Sequence, residues 1–329
     1  MAGAKQSPAM TQTIHDPPQD PLSGTTALVA RFFARPKVLA RACVAVLAGA
    51  GWLYLGFMVA GMVQTGHGAA LGPGMGLIEL FVNPATLDPA TRALIDALCQ
   101  PSFGVARAHF GMPSSGAWGV ADFVLVLAMW SAMALAMMLP TAGPMIVTYA
   151  EIADTAARKG EYAVSPLVLA GGYTAVWLAF AAAATLLQWG LARAALLDPA
   201  MATTSSLFSG AVFVGAGLYQ FSPLKHACVT LCQRPFPFFF ANWTTSMRGV
   251  WRLGVRQGLF CLGCCWAMML VMFAVGLMNI VWMAGLGLIM TLEKIATTTR
   301  FSRAIGIVFI GIGVTLIASS VVAHWPART

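Results

Sequence analysis

The chain has 329 residues, of which 59% are hydrophobic and only 9% are charged, against roughly 25% charged residues in a typical soluble domain. This balance excludes the soluble globular, disordered and collagen-like classes, and seven cysteines in so long a chain do not make a disulfide framework. The net charge of +8 does not indicate nucleic-acid binding, because basic residues concentrate in the cytoplasmic loops of membrane proteins. The apolar residues fall in blocks of about 20 or more, the length that crosses a bilayer as a helix. We therefore predict an all-α, polytopic transmembrane helical bundle.

The N-terminal region differs in composition from the rest of the chain. Its first 24 residues are rich in Pro, Gln, Thr and Ser, and they lack the basic and then apolar layout of a cleavable signal. Arg31, Arg35 and Lys37 stand just before the first apolar block, and their charges resist translocation. We predict that residues 1–37 form a disordered, basic cytoplasmic tail and that residues 38–323 form a single transmembrane domain.

Four apolar blocks precede position 225, at residues 38–63, 119–149, 165–190 and 207–224. If each block spans, residues 64–118 form an extracytoplasmic loop and residues 225–256 form a cytoplasmic loop. The segments then assigned to the cytoplasmic side, together with Arg41 at the start of the first block, hold twelve Lys and Arg residues, whereas those assigned to the outside hold three. This asymmetry is what the positive-inside rule predicts.

The number of spans in the last third depends on the apolar run 259–292. Its 34 residues make about 51 Å of helix, which is too long for one crossing and short for two. A break at Gly276, Asn279 or Gly285 would give a tight pair of spans. Glu293 and Lys294 would then lie on the cytoplasmic side. Residues 305–323 would then cross as the seventh span, whereas a single tilted helix would give six.

The residues best suited to metal or thiol chemistry are cysteines, which are concentrated on either side of position 245. Five of the seven cysteines fall within 38 residues, and Cys261 and Cys265 share a helical face with Met268 and Met272, with Cys264 beside them. Thiolate and thioether sulfur select Cu(I), and four thiolates would also suit Zn(II), so copper is the expected metal and zinc the alternative. The predicted metal ligands are Cys228, Cys232, Cys261, Cys264, Cys265, Met268, Met269, Met272 and Met137. The alternative is that these cysteines are inert and pack as small hydrophobic residues.

Met137 belongs to a second sulfur pattern, an i, i+4, i+8 series with Met129 and Met133 in the second block. Neutral and deformable thioethers in such a series could pass Cu(I) along the membrane normal, although flexible Met also fills gaps between helices. Pro140 and Pro144 follow in the same block, and a proline-broken helix is equally a transporter device and a packing kink.

The loop 64–118 contains His67, Glu79, Cys99 and His109, and a helix from 88 to 100 is possible there. These residues have no metal-binding spacing. If the loop receives an ion, His67 and His109 are the residues to test first.

Several of these motifs occur together in one bacterial family. Met137-Met-Leu-Pro140, Tyr219-Gln with Pro223-Leu-Lys225, Gly263-Cys-Cys-Trp266 and Glu293-Lys294 are the segments concerned. Over about residues 119–320 the chain resembles a family described as predicted metal-binding integral membrane proteins and in some cases as copper chaperones. The resemblance implies a helical protein of the bacterial inner membrane with a metal role on the five cysteines from Cys228 to Cys265.

Three classes of function remain. The leading hypothesis is a membrane-embedded Cu(I)-binding protein that delivers copper to a membrane oxidase or another acceptor, or transports it across the bilayer. The second is a non-catalytic accessory subunit of a membrane complex, with inert cysteines. An enzymatic function has little support, because the sequence shows neither a nucleophile paired with a base at a recognisable spacing nor a cofactor-binding motif. The best-supported enzyme would be a thiol redox enzyme that acts through Cys264 or Cys265. The oligomeric state is not predicted.

Overall fold

The computed structural model describes residues 36–64, 72–75, 118–194, 205–296 and 298–324. Throughout this described part the regular structure is helical, so the all-α prediction is confirmed. In chain order the helices are α1 (Pro36–Gln64), α2 (Val120–Arg158), α3 (Pro166–Arg193), α4 (Ser206–Tyr219), α5 (Pro223–Gln233), α6 (Pro235–Ala241), α7 (Met247–Leu270), α8 (Met272–Val275), α9 (Ile280–Ile295) and α10 (Thr299–His324).

Five stretches within these helices are long and apolar enough to cross a membrane, and the bent pair α4 and α5 raises the number to six. The five are Lys37–Val59, Val120–Arg158, Pro166–Arg193, Met247–Val275 and Thr299–Val322. The chain is therefore a polytopic transmembrane helical bundle. The tail up to residue 35 and the residues His67, Glu79, Cys99 and His109 lie outside the described residues, as does the possible helix from 88 to 100.

The helices α3, α5 and α7 each begin at a serine that caps the first turn, as α4 does at Ser205. The hydroxyl oxygens of Ser165, Ser222 and Ser246 accept hydrogen bonds from backbone N–H groups two or three residues ahead. Pro166 and Pro223 follow the first two serines, at a position where a helix needs no N–H donor. These local signals fix where the helices that carry the cysteines and their neighbours start.

α2 continues as a helix through both of its prolines. Pro140 has no N–H to donate, which leaves the carbonyl of Ala136 without its helical partner. The indole Nε1 of Trp52 on α1 donates to this carbonyl at 3.0 Å. A buried backbone acceptor is thus satisfied by the neighbouring helix, and this bond ties α1 to α2.

The apolar run 259–292 is divided at residues 276–279. Gly276 has φ of 100°, a left-handed conformation that favours glycine, and Asn279 accepts from the Trp282 N–H to cap α9. The Asn279 Nδ2 group also donates to the carbonyl of Pro73 at 2.9 Å, which attaches the turn at residues 72–75 to this break. Gly285, the third position at which the apolar run could break, lies within α9 and does not interrupt it. α9 has 16 residues, or about 24 Å of helix, which is short for a full crossing.

Most residues between 219 and 247 form helices rather than a loop. α4 ends at Tyr219 and bends by 63° into α5, and α6 follows before α7 begins at Met247. In the sequence, Lys225 and Glu293 lie just outside the apolar blocks, where solvated charges are expected. They are instead buried at 1% and 3% exposure, because they pair with each other in the interior.

Candidate metal centre

Three cysteines on α7 face the interior of the bundle. Cys261, Cys264 and Cys265 are 2%, 2% and 1% exposed, and their spacing of three and four residues places them on one side of the helix. Their Sγ atoms all lie within 4.8 Å of one another. We call these three residues the cysteine cluster.

The spacing of the sulfur atoms is close to what one metal ion requires. Cys264 and Cys265 have their Sγ atoms 3.2 Å apart, and the Cys264 thiol is 3.1 Å from the carbonyl of Cys261. A metal–sulfur bond of about 2.3 Å puts the three sulfurs of a trigonal site about 4.0 Å apart. Small side-chain adjustments would therefore let the cysteine cluster hold a soft ion. The six described cysteines are all free thiols.

A lysine from α9 points at the cysteine cluster. The Nζ atom of Lys294 lies 2.9 Å from the Cys261 sulfur and also donates to the hydroxyl of Thr141 on α2. The sequence predicts Lys294 on the cytoplasmic side, beyond the apolar run, and the structure shows it partly buried beside the Cys261 sulfur. Its ammonium group supplies the positive charge that a thiolate needs when it is removed from water.

A tyrosine from α3 completes the surroundings of Cys261. The Tyr173 hydroxyl lies 3.0 Å from the Cys261 sulfur and 3.0 Å from the carbonyl oxygen of Met138, to which it donates. The Met138 carbonyl also accepts from Thr141 at 2.8 Å. Tyr173 of α3 and Lys294 of α9 thus both contact the Cys261 sulfur, and Thr141 of α2 contacts Lys294.

Cys228 and Cys232 lie next to the cysteine cluster but outside it. Cys228 on α5 is 9% exposed, and its sulfur packs against Gly263, where a Cβ atom would lie 2.7 Å from Sγ. Cys232 is half-buried, and its side chain interacts with the Cys264 thiol. The two groups of cysteines, which lie on either side of position 245 in the sequence, therefore meet at the contact between α5 and α7. Whether Cys228 and Cys232 bind metal stays a prediction.

The predicted methionine ligands are all in the interior. Met137, Met268, Met269 and Met272 are at most 2% exposed, and Met129 and Met133 are fully buried. Met137 packs against Gly287 of α9. Further buried methionines lie in the same core, namely Met58, Met75, Met138, Met145, Met278, Met283 and Met290. Thioether sulfur is thus a main component of this interior.

The end of α9 that carries Lys294 is anchored by a second charged contact. Glu293 accepts two hydrogen bonds from Lys225, and the Gln233 amide donates to the backbone carbonyls of Glu293 and Ala296. α5 therefore holds the last turn of α9. Lys294, the residue after Glu293, points instead toward the cysteine cluster. Sequence reasoning missed Tyr173, Thr141 and Lys294 as neighbours of the site. The one available signal was a Glu-Lys pair at the end of a long apolar run.

Comparison with known proteins adds one family. The model of the PpoB2 family, described as a copper chaperone, matches residues 127–316, which is more than half of the chain. The match includes every described cysteine except Cys43 and includes Tyr173, Lys225, Glu293 and Lys294. Neither the curated proteins nor the solved structures contain a match.

Proposed function

This chain belongs to the PpoB2 family of copper chaperones, and from this premise we propose that it binds Cu(I) in the membrane at Cys261, Cys264 and Cys265. The observation that carries the proposal is the group of three thiols within 4.8 Å of one another in the interior of the matched region. Soft thiolate ligands select Cu(I), and no hard oxygen ligand is needed at such a site. Copper is the cargo of this protein rather than a resident cofactor.

The charges at the cysteine cluster balance around a monovalent ion when two of its three thiols are deprotonated. A Cu(I) ion and the Lys294 ammonium together carry two positive charges, which two thiolates neutralise. A neutral group is the least costly one to bury in a medium of low dielectric constant. Zn(II) with Lys294 would require three thiolates for the same balance, so zinc is the competing metal in the test.

The route of the ion is the finer part of the proposal. Cys232 is the more exposed of the two α5 cysteines and interacts with Cys264, so we assign it, with Cys228, to the receipt of copper from the cytoplasmic side. Met268, Met269 and Met272, with Met137, Met133 and Met129, would carry the ion away from the cysteine cluster. Such a route serves delivery to a membrane oxidase or another copper acceptor, or transport across the bacterial inner membrane with the N-terminus in the cytoplasm.

The alternative function is that of an accessory subunit with inert cysteines. It is favoured by the complete burial of the cysteine cluster, since a buried thiol packs well as a small hydrophobic group. This alternative expects no stoichiometric metal. It also expects the three cysteines to be replaceable by alanine without loss of any function.

The test is anaerobic loading of the full-length protein in detergent with Cu(I), and separately with Zn(II), against a competing chelator. We compare wild type with Cys261→Ala/Cys264→Ala/Cys265→Ala and with Cys43→Ala, a matched control on α1. We expect the wild type and the control to retain about one copper ion and the triple variant to retain none. The thermal unfolding midpoint of each apoprotein checks that the fold is kept.

Equal retention of copper by the wild type and the triple variant would reject the cysteine cluster as the binding site. Absence of copper from the wild type would favour the accessory-subunit function. Preferential retention of Zn(II) over Cu(I) would reject copper as the cargo.

A further inference from the structure

The bundle has an open apolar cavity of about 370 Å³, whose lining includes no residue of the cysteine cluster. It lies between the early turns of α1, the middle of α2, the early turns of α3 and the beginning of α7. Representative wall residues are Ala40, Cys43, Leu139, Ile146, Gly171 and Trp251. The lining of this cavity contains no charged side chain.

The length of the cavity along α3 follows from the residues of this helix that line it. They run from Leu167 to Leu178, which is about 16 Å of helix. Gly171 and its small neighbours Ala170 and Ala175 leave this wall open. A Cβ atom on Gly171 would lie 3.0 Å from the Trp251 ring, so the absence of a side chain there accommodates the indole.

A second cavity of about 480 Å³ adjoins the first and is basic. Arg248 and Arg252, one turn apart on α7, line it together with Val168, Met247 and Trp251. Trp251 lines both cavities, so its side chain forms the boundary between them. Both arginines are exposed, and neither forms an ion pair or a hydrogen bond with the residues that the structure describes.

We infer that these two cavities together bind one anionic phospholipid, with an acyl chain in the apolar cavity and the phosphate between Arg248 and Arg252. The charge pattern carries this assignment, because two unpaired arginines stand directly beside an elongated apolar cavity. Arg forms bidentate contacts with phosphate oxygens, and the apolar walls have the length of a large part of an acyl chain. The site lies at the end of the bundle where α1, α3 and α7 begin, which is the end that we propose as cytoplasmic. It does not depend on copper binding.

The test is native mass spectrometry of the full-length protein after incubation with mixed micelles that contain phosphatidylglycerol or phosphatidylcholine. We compare wild type with Arg248→Gln/Arg252→Gln and with Arg300→Gln/Arg303→Gln, a matched control pair of exposed arginines at the start of α10. Ala175→Phe fills the apolar cavity and leaves both arginines in place.

We expect the wild type to retain one phosphatidylglycerol in preference to phosphatidylcholine. The Arg248/Arg252 variant should lose affinity by about tenfold or more, since each basic residue near an anionic headgroup contributes severalfold. Ala175→Phe should lower retention of the same lipid, and the α10 pair should leave it unchanged. Excess inorganic phosphate should not displace the lipid.

Equal retention of both lipids by the wild type, or an equal loss in the α10 control pair, would overturn the assignment. Displacement by inorganic phosphate would assign the arginines to a free anion instead. Unchanged copper retention in the Arg248/Arg252 variant is expected, because this site and the cysteine cluster share no residue.

Discussion

The Nζ atom of Lys225 lies 2.9 and 2.8 Å from the two carboxylate oxygens of Glu293, and both side chains are almost fully buried. The pair joins α5, which carries Cys228 and Cys232, to α9, which carries Lys294. A buried ion pair is costly to form because both charges leave water, so it contributes little net stability. Its role here is positional, since it fixes the end of α9 that presents Lys294 to Cys261.

Removing one partner of this pair should destabilise the protein strongly. Lys225→Met leaves the Glu293 carboxylate buried without its counter-ion, and we expect a loss of about 3–5 kcal/mol in unfolding free energy. Thermal or denaturant unfolding in detergent measures it. The double variant Lys225→Met/Glu293→Leu should recover most of the loss, because no isolated charge remains. A double variant as unstable as the single one would contradict this explanation.

Replacing Lys294 should weaken copper binding without removing a ligand. Lys294→Met keeps the length of the side chain but takes away the charge that balances the thiolates, and a charge-assisted hydrogen bond contributes about 1.5–3 kcal/mol. We expect the Cu(I) affinity, measured by chelator competition, to fall by about tenfold or more. Lys159→Met, in the exposed turn after α2, is the matched control and should have the affinity of the wild type. A Lys294→Met variant with unchanged affinity would mean that the lysine has no electrostatic role at the site.

Asn279 should hold the turn at residues 72–75 against the break between α8 and α9. Asn279→Ala removes the hydrogen bond to the Pro73 carbonyl and the cap on the Trp282 N–H, and loss of a cap costs about 1 kcal/mol. Hydrogen exchange at Gly72–Met75 and in the first turn of α9 should become faster. Thr148→Ala, which loses only a bond to a carbonyl of its own helix, should leave exchange at both places unchanged. Equal exchange in wild type and Asn279→Ala would show that other contacts hold this turn.

Gly254 should be intolerant of even a methyl group. A Cβ atom there would clash with the backbone carbonyl of Leu169 on α3, and backbone cannot move aside as a side chain can. Gly254→Ala should lower stability by about 1–3 kcal/mol, as overpacking does. Gly190→Ala, a helical glycine with open space around it, should raise stability by about 0.5–1 kcal/mol. Unfolding midpoints of the two variants that shift in the same direction would contradict the close packing of α3 against α7.

Local sequence patterns were enough to predict part of this fold and part of the candidate site. The apolar blocks predict the long helices, because the length of an apolar run is set by bilayer thickness. The break at Gly276 and Asn279 follows from residues that favour a turn and a cap. The shared face of Cys261 and Cys265 follows from the helical period alone.

The contacts that surround the cysteines could not be predicted from the sequence. Tyr173 and Cys261 are separated by 88 residues, Lys225 and Glu293 by 68, and Lys294 and Cys261 by 33. No local pattern encodes which helices pack together, so these partners become visible only in the folded chain. Charges at the ends of apolar runs suggest loops, and their burial here depends on partners supplied by other helices.

X-ray absorption spectroscopy at the copper edge tests the central claim most directly, because it identifies the atoms bound to the ion. Wild-type protein loaded anaerobically with one Cu(I) should show sulfur ligands only, and Cys261→Ala/Cys264→Ala/Cys265→Ala should hold no copper after the same treatment. Nitrogen or oxygen ligands in the wild type, or an unchanged copper spectrum in the triple variant, would contradict binding at the cysteine cluster.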